Sequence, residues 1–362
     1  MRGHNYMKKK RFCLCLAAAA MLGLYGCSSQ SEPPVTIAVV TDGGNVDDLA
    51  INQTIWQAVQ SYGDASGENT GYYIPSGDSS AACSEAIDEA VEKGAEVVIC
   101  YGDAAGTAVY EAQREYRSVR FLVFDAEPHA EGSEKVRMRG NTRCILFDRE
   151  QAGFLAGYAA VKEGYTSLAY YGGAEEDRAK EYGAGFLEGL QQAAAEMGLA
   201  DGSIQVQYEE RGTDAVSPDF MNAVEQEYQD GCQAIFTDGG DFEPIIRRSA
   251  EIVGGKVLGV VTDESQKSTT VVISAENKYE EILNQELEKI AEDDFDGGKI
   301  KILGVKEGGV GLTTDTSQMQ NFSEEQYQQI TERIQKGEVS FPGAQILENI
   351  DDLNCLQIYT AE

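Results

Sequence analysis

From residue 35 onward, short runs rich in Val and Ile alternate with stretches of helical periodicity. This alternation restricts the chain to an α/β architecture with mostly parallel sheets. A first series reads Val35–Val40, a helix to about Ser61, Gly71–Ile74, helix Ser80–Lys93, Val97–Tyr101, helix Thr107–Tyr116 and Arg120–Phe124, with Asn141–Phe147 extended. A second series reads helix Arg149–Glu163, Ser167–Tyr171, helix Ala179–Met197, Ile204–Tyr208, helix Asp219–Tyr228, Ala234–Thr237, helix Glu243–Val253 and Lys256–Val261. Two serial sets of similar size predict two lobes and not one long sheet. Val271–Ser274, helix Tyr279–Glu292, Lys299–Val305 and helix Ser323–Lys336 follow, and they must return to complete one or both lobes. We expect residues 35–145 with 264–298 in the first lobe and 146–263 with 299–346 in the second. The acidic segment 347–362 carries no assignment.

Polar residues gather where the predicted strands stop. The stretch Val39-Val-Thr-Asp-Gly-Gly-Asn-Val-Asp-Asp-Leu-Ala-Ile-Asn-Gln-Thr-Ile-Trp56 passes from strand to turn to helix, and its turn carries Asp42, Asn45, Asp47, Asp48 and Asn52. In open parallel sheets ligands bind at this carboxyl edge. An acidic loop that merely caps a helix is the competing explanation for each residue taken alone. The same edge brings Tyr101 and Asp103, Asp125, Asp238 with Gly239, and Asp263. Single Asp-Gly pairs are more often plain turns. Their recurrence in both series favours a cleft, where carboxylates accept from hydroxyl or amine donors.

Before residue 27 the pattern changes. Lys8, Lys9, Lys10 and Arg11 precede an apolar run from Phe12 to Leu24 that is short for a membrane span, the layout of a signal peptide over residues 1–26. Leu24-Tyr-Gly-Cys27 resembles a bacterial lipobox, which implies lipid attachment at Cys27, residues 27–34 as a linker, and a protein held on the outer face of the cell membrane. An ordinary signal peptide with a chance cysteine is the alternative.

The formal net charge is −32, and residues 1–26 hold five basic and no acidic side chains, so the remainder is more acidic still. Such a body repels nucleic acid, and neutral or cationic small solutes are the expected ligands. Cys83, Cys100, Cys144, Cys232 and Cys355 show no pairing or metal-site spacing, and His4 and His129 are the only histidines. A zinc site and a histidine-based triad are therefore not expected. We also find no nucleophile–base pair, Walker loop or dinucleotide fingerprint. The acidic turn superficially resembles the calcium motif of nucleoside hydrolases, but Val40 stands where those enzymes need an aspartate. The chain is read as a binding protein needing no metal or cofactor, with a hydrolase-like enzyme as a minority alternative.

Taken together, Asp42–Trp56, Glu150-Gln-Ala-Gly-Phe-Leu-Ala-Gly-Tyr158, Tyr182-Gly-Ala-Gly-Phe-Leu-Glu-Gly189, Gly308-Gly-Val-Gly311 and Ile334-Gln-Lys-Gly-Glu-Val-Ser-Phe-Pro342 resemble the BMP family (basic membrane protein, purine nucleoside receptor A-like) of ABC-importer substrate-binding lipoproteins. The resemblance implies a type I periplasmic-binding-protein fold, with two Rossmann-like lobes joined by three hinge crossovers. It also implies a monomer that closes on a small solute and delivers it to ABC permease subunits. A sensory module passing ligand state to a membrane partner is the other use of such a fold. Asn52, Asp103 and Asp263 match binding positions of the family, and Lys278 its basic residue. The chain departs at Ile51 and around Arg211, Gly212 and Thr213, where nucleoside-binding members carry stacking phenylalanines. Val261 replaces a ribose-binding aspartate. Trp56, Tyr101 or Phe242 would have to supply the missing ring face, so a nucleoside is favoured only weakly among polar solutes.

Overall fold

A computed structural model describes residues 34–360, apart from 134, 174–175, 213–216 and 241. The expected signal peptide, Cys27 and most of its linker lie outside the described residues, as does Thr213. Val35–Glu362 forms one compact unit.

Strand β1 (Ile37–Val40) buries all four residues and ends at Thr41. It pairs in parallel with β2 (Thr70–Tyr73) and β3 (Val97–Tyr101), and β4 (Arg120–Phe124), β5 (Thr142–Phe147) and β11 (Lys299–Leu303) continue the sheet on the β3 side. Strands buried on both faces need continuous apolar runs, and β3 and β4 supply them as Val-Val-Ile-Cys and Phe-Leu-Val-Phe. The second sheet runs β12-β10-β9-β8-β6-β7-β13, built from β6 (Ser167–Gly172), β7 (Ile204–Glu210), β8 (Ala234–Thr237), β9 (Lys256–Val261), β10 (Val271–Asn277), β12 (Val310–Leu312) and β13 (Leu356–Thr360). All its pairings are parallel except the β10–β12 edge.

Helices α1 (Ile51–Ser66), α2 (Ser80–Glu92) and α3 (Asp103–Glu115) belong to the first lobe. Helices α4 (Arg149–Glu163), α5 (Glu176–Glu196), α6 (Pro218–Gln229), α7 (Phe242–Val253) and α9 (Glu324–Gln335) cover the second, and α8 (Tyr279–Ala291) returns to pack on α1. Side-chain caps fix several starts: Ser79 accepts from Ala82 N, Asp148 from Gln151 N and Ser217 from Phe220 N. Ser323 and Gln326 form the expected capping box.

Strand pairing corrects the lobe boundaries drawn from the sequence. β10, placed in the first lobe, pairs with β9 of the second sheet. β11, placed in the second, pairs with β5 of the first in the register Lys299↔Arg143. The chain crosses between sheets after β5, between β10 and α8, and between β11 and β12, which gives three crossovers. Periodicity marks each run as a strand but carries no information on which edge it joins. The unassigned tail is likewise structured: Leu353, Cys355 and Leu356 are buried, Cys355 N donates to Gln191 Oε1 at 2.9 Å, and β13 extends the sheet beside β7.

One buried carboxyl makes the stability depend on pH. Glu188 on α5 is 9% exposed, and neither carboxyl oxygen has a hydrogen-bond partner among the described residues. Burial, followed by the charge of Glu150, pushes its pKa up to about 8. In the unfolded chain a glutamate titrates near 4.3, so between roughly pH 4.5 and 8 the native state holds a proton that the unfolded state has lost. Stability therefore falls as pH rises through this window. Glu188→Gln should raise stability at pH 8 by about 2 kcal/mol and leave it nearly unchanged at pH 4. Urea unfolding at both pH values measures this, and an equal effect at both would exclude titration as the cause.

Candidate ligand cleft

The first-lobe wall begins where β1 stops. Asn52, 3% exposed at the start of α1, donates through Nδ2 to Asp42 Oδ1 at 2.7 Å and to Asp48 Oδ2 at 2.8 Å. Its Oδ1 accepts from Asp42 N at 3.3 Å. Asp42 Oδ1 also accepts from Gly44 N at 2.9 Å, and Asp48 Oδ1 from Ala50 N at 2.8 Å. A Cβ on Gly44 would lie 2.7 Å from Asn52 Nδ2, so this knot requires glycine there. Three of the predicted site residues thus fasten the loop to one another. Asn45 is exposed and accepts from Val46 N, while Ile51 packs half-buried against the core.

At the next strand ends, Gly102 (φ 84°) turns the chain from β3 into α3 and leaves Asp103 exposed in its first turn. The phenol of Tyr101 lies well above its ordinary pKa, chiefly through burial and then through the charge of Asp125. Asp125, in a left-handed conformation (φ 54°), accepts from Tyr279 Oη, and Tyr279 Oη accepts from Asn277 Nδ2 at 3.2 Å. This chain ties the end of β4 to the β10–α8 crossover.

On the second-lobe wall, buried Asp238 accepts from Gly173 N through Oδ1 at 3.0 Å. Its carbonyl oxygen accepts from Arg178 Nε at 3.0 Å and Nη2 at 2.7 Å. A Cβ on Gly239 (φ 89°) would stand 3.3 Å from the same Nη2. The Arg178 guanidinium lies 5.9 Å from the ring centroid of Tyr182. Asp263 follows Val261 (φ 72°) and accepts from Ser265 N at 2.9 Å. Lys278 pairs with Glu276 beside Gly311 of the β12 crossover.

After burial and Asp125, the charges acting on Tyr101 are those of Arg178, which lowers its pKa, and of Asp42 and Tyr182, which raise it. Arg178, Tyr182 and Tyr279 were not singled out from the sequence as site residues. Arg178 and Tyr182 stand four residues apart on α5, a spacing that puts them on one helix face and was available as a signal. Arg211 turns instead to Glu209 and to the face of Phe220, 4.8 Å from its centroid, and Phe242 is buried against Phe220. Trp56 stacks edge-on with Tyr72 at 5.0 Å, on the outer edge of the first sheet. Among the described residues no group of three or more His, Cys, Asp or Glu side chains is placed to hold a metal ion.

Two parallel α/β lobes, three crossovers, and polar strand ends facing one another define a two-lobed solute-binding protein of the periplasmic-binding-protein type. The chain belongs to the Bmp family, ABC transporter substrate-binding proteins like PnrA, whose pattern it matches over residues 35–345. It is 22% identical to the ABC transporter nucleoside-binding protein BmpA of Lactococcus lactis, over 86% of this chain and 93% of that protein. It is 24% identical to a CD4+ T-cell-stimulating antigen of Listeria monocytogenes, over 93% and 99% respectively. Solved structures of ABC transporter solute-binding proteins from Aeropyrum pernix and Conexibacter woesei each superpose with a TM-score of 0.67 at 18% identity. They cover 89% and 86% of this chain and 99% of their own, and they show the shared fold.

Proposed function

We propose that this chain is an extracytoplasmic receptor, tethered by lipid on Cys27, that captures a small polar solute between its lobes and presents it to an ABC permease. The observation that carries this reading is the cavity of about 310 Å³ bounded by Gln53, Thr54 and Gln57 of the first lobe and by Asp263 and Asn277 at the ends of β9 and β10. A solute there contacts both lobes, so its binding energy favours the closed arrangement. In this reading Asp42, Asp48, Asn52, Asp238 and Gly239 frame the walls, and Tyr101, Asp103 and Asp263 face the solute. Lys278 acts through Glu276. The protein binds and releases, with no reaction catalysed.

A nucleoside is the second, narrower reading, supported by what the Lactococcus relative is named for binding. Ile51 and Arg211 weigh against it, because neither offers a ring face, and base stacking contributes about 1–3 kcal/mol per base. A thermal-shift screen of nucleosides, bases, amino acids and sugars tests both readings. A ligand at 100 times its Kd should stabilise the protein by about 2.7 kcal/mol. Asp103→Ala should weaken that ligand about tenfold or more while leaving the unliganded Tm unchanged, since Asp103 is exposed. A ligand whose shift is the same in Asp103→Ala removes that residue from the site.

A further inference from the structure

A cavity of about 310 Å³ lies between the first turns of α1 and the carboxyl ends of β9 and β10. Gln53, Thr54 and Gln57 line it from the first lobe and Asp263, Glu276 and Asn277 from the β9 and β10 ends. Glu280, in the first turn of α8, completes the acidic side, and among the described residues no aromatic or basic side chain lines the wall. Asn277 is 5% exposed, with Nδ2 engaged by Tyr279, and its Oδ1 has no hydrogen-bond partner among the described residues. The amide orientation follows from the network: Tyr279 Oη donates to Asp125 and so must accept from Asn277. That leaves a buried acceptor on this wall that is costly to leave unsatisfied.

Among the described residues, three carboxylates belong to the wall. Lys278 pairs with Glu276, so Asp263 and Glu280 remain as surplus negative charge. The charges reinforce one another, since Asp263 and Glu281 both raise the pKa of Glu276, after burial. A neutral polyol would satisfy the acceptors but leave the carboxylates uncompensated. A protonated amine answers both, through N–H donors and opposite charge.

Building on the reading of this chain as a solute receptor, we propose that its solute carries a protonated amine, seated in this cavity between Asn277 and the carboxylates of Asp263, Glu276 and Glu280. The charge of the full chain, −32, and the still more acidic remainder beyond residue 26 also favour approach of a cation.

Calorimetric titration of the full chain in mild detergent tests the assignment, with ethanolamine, putrescine, spermidine and agmatine as probes. 1,4-Butanediol serves as the uncharged counterpart of putrescine, and uridine, inosine and adenosine as uncharged nucleosides. At least one amine should bind, butanediol should bind at least a hundredfold more weakly than putrescine or not at all, and affinity should fall as salt is raised. Asp263→Asn should weaken the amine about tenfold. Gln57→Lys, at an exposed helical position where folding is undisturbed, should do the same by placing a cation on the wall. Binding of a nucleoside with no response to any amine would overturn the amine assignment and leave the solute-receptor reading standing. No response to any probe would overturn the amine assignment, and the broader solute screen would then decide the receptor reading. Amine binding unaffected by both substitutions would place the amine elsewhere and overturn the site.

Discussion

A single methyl group added at Gly185 should destabilise the protein by about 3 kcal/mol or more, a large fraction of the stability of an ordinary domain. Helices α4 and α5 meet along four glycines. A Cβ on Gly185 would stand 1.9 Å from Glu150 O, on Gly189 2.1 Å from Phe154 O, on Gly153 2.2 Å from Tyr182 O, and on Gly157 2.3 Å from Phe186 O. Each obstacle is backbone, so no rotamer change relieves it and the helices must separate. Separation would open the layer of Phe154, Leu155, Phe186 and Leu190, all essentially buried. It would also displace Arg178, which α5 carries to the carbonyl oxygen of Asp238. Gly185→Ala should therefore lower Tm by about five degrees or more and weaken solute binding with it. Gly77→Ala is the control: it has a negative φ and nothing within 4 Å of its Cβ position, and it should be neutral within about 0.5 kcal/mol. Comparable Tm values for the two variants would sink the close-approach argument.

Those glycines show what kind of information the sequence held openly. Glu150–Tyr158 and Tyr182–Gly189 stood out as family marks, but only the structure shows why both carry glycine at four-residue spacing. Single elements were legible because each obeys local rules. β3, β4, β8, β9 and α4 fall on their predicted residues, since apolar runs and caps are local signals. The assignment of β10 and β11 to sheets was not legible, because edge pairing depends on crossovers that no local pattern records. β12 and β13, short and at the sheet margins, were missed for the same reason.

The cleft was legible in part. Strand-end aspartates were found because carboxyl edges bind ligands, but their chemistry differs among them. Asp42 and Asp48 spend hydrogen-bonding capacity on Asn52 and the loop backbone, and Asp238 spends it on Gly173. Arg178 and Tyr182 escaped notice because they belong to a helix of the opposite lobe, and no local pattern in the sequence relates that helix to Tyr101. Ile51, the expected point of departure from nucleoside binding, sits half-buried against the core and supplies no ring to the cleft.

The second large effect is expected at the buried ion pair that fixes one flank of the hinge. Arg143 on β5 and Glu286 on α8 have side chains 5% and 2% exposed, with Nε 2.9 Å from Oε2. The two are close but not aligned as a hydrogen bond, so the attraction is mainly charge on charge. Lys289 also pairs with Glu286 at 2.8 Å, and Arg143 Nη1 donates to Asp296 O at 2.8 Å. Arg143→Met leaves Glu286 desolvated with only the more exposed Lys289 beside it. Removing one partner of a buried pair costs about 3–5 kcal/mol, and Lys289 should hold the loss near the lower figure. The double variant Arg143→Met with Glu286→Leu removes the stranded charge and should recover most of the stability, because a buried pair is often no better than apolar residues of similar volume. Because β5 and α8 flank separate crossovers, the single variant should also loosen the hinge and weaken solute binding more than its distance from the cleft suggests. Denaturant unfolding of the two single variants and the double variant measures the coupling. A double variant as unstable as the sum of the singles would show that Arg143 holds β5 through Asp296 and packing, and not through Glu286.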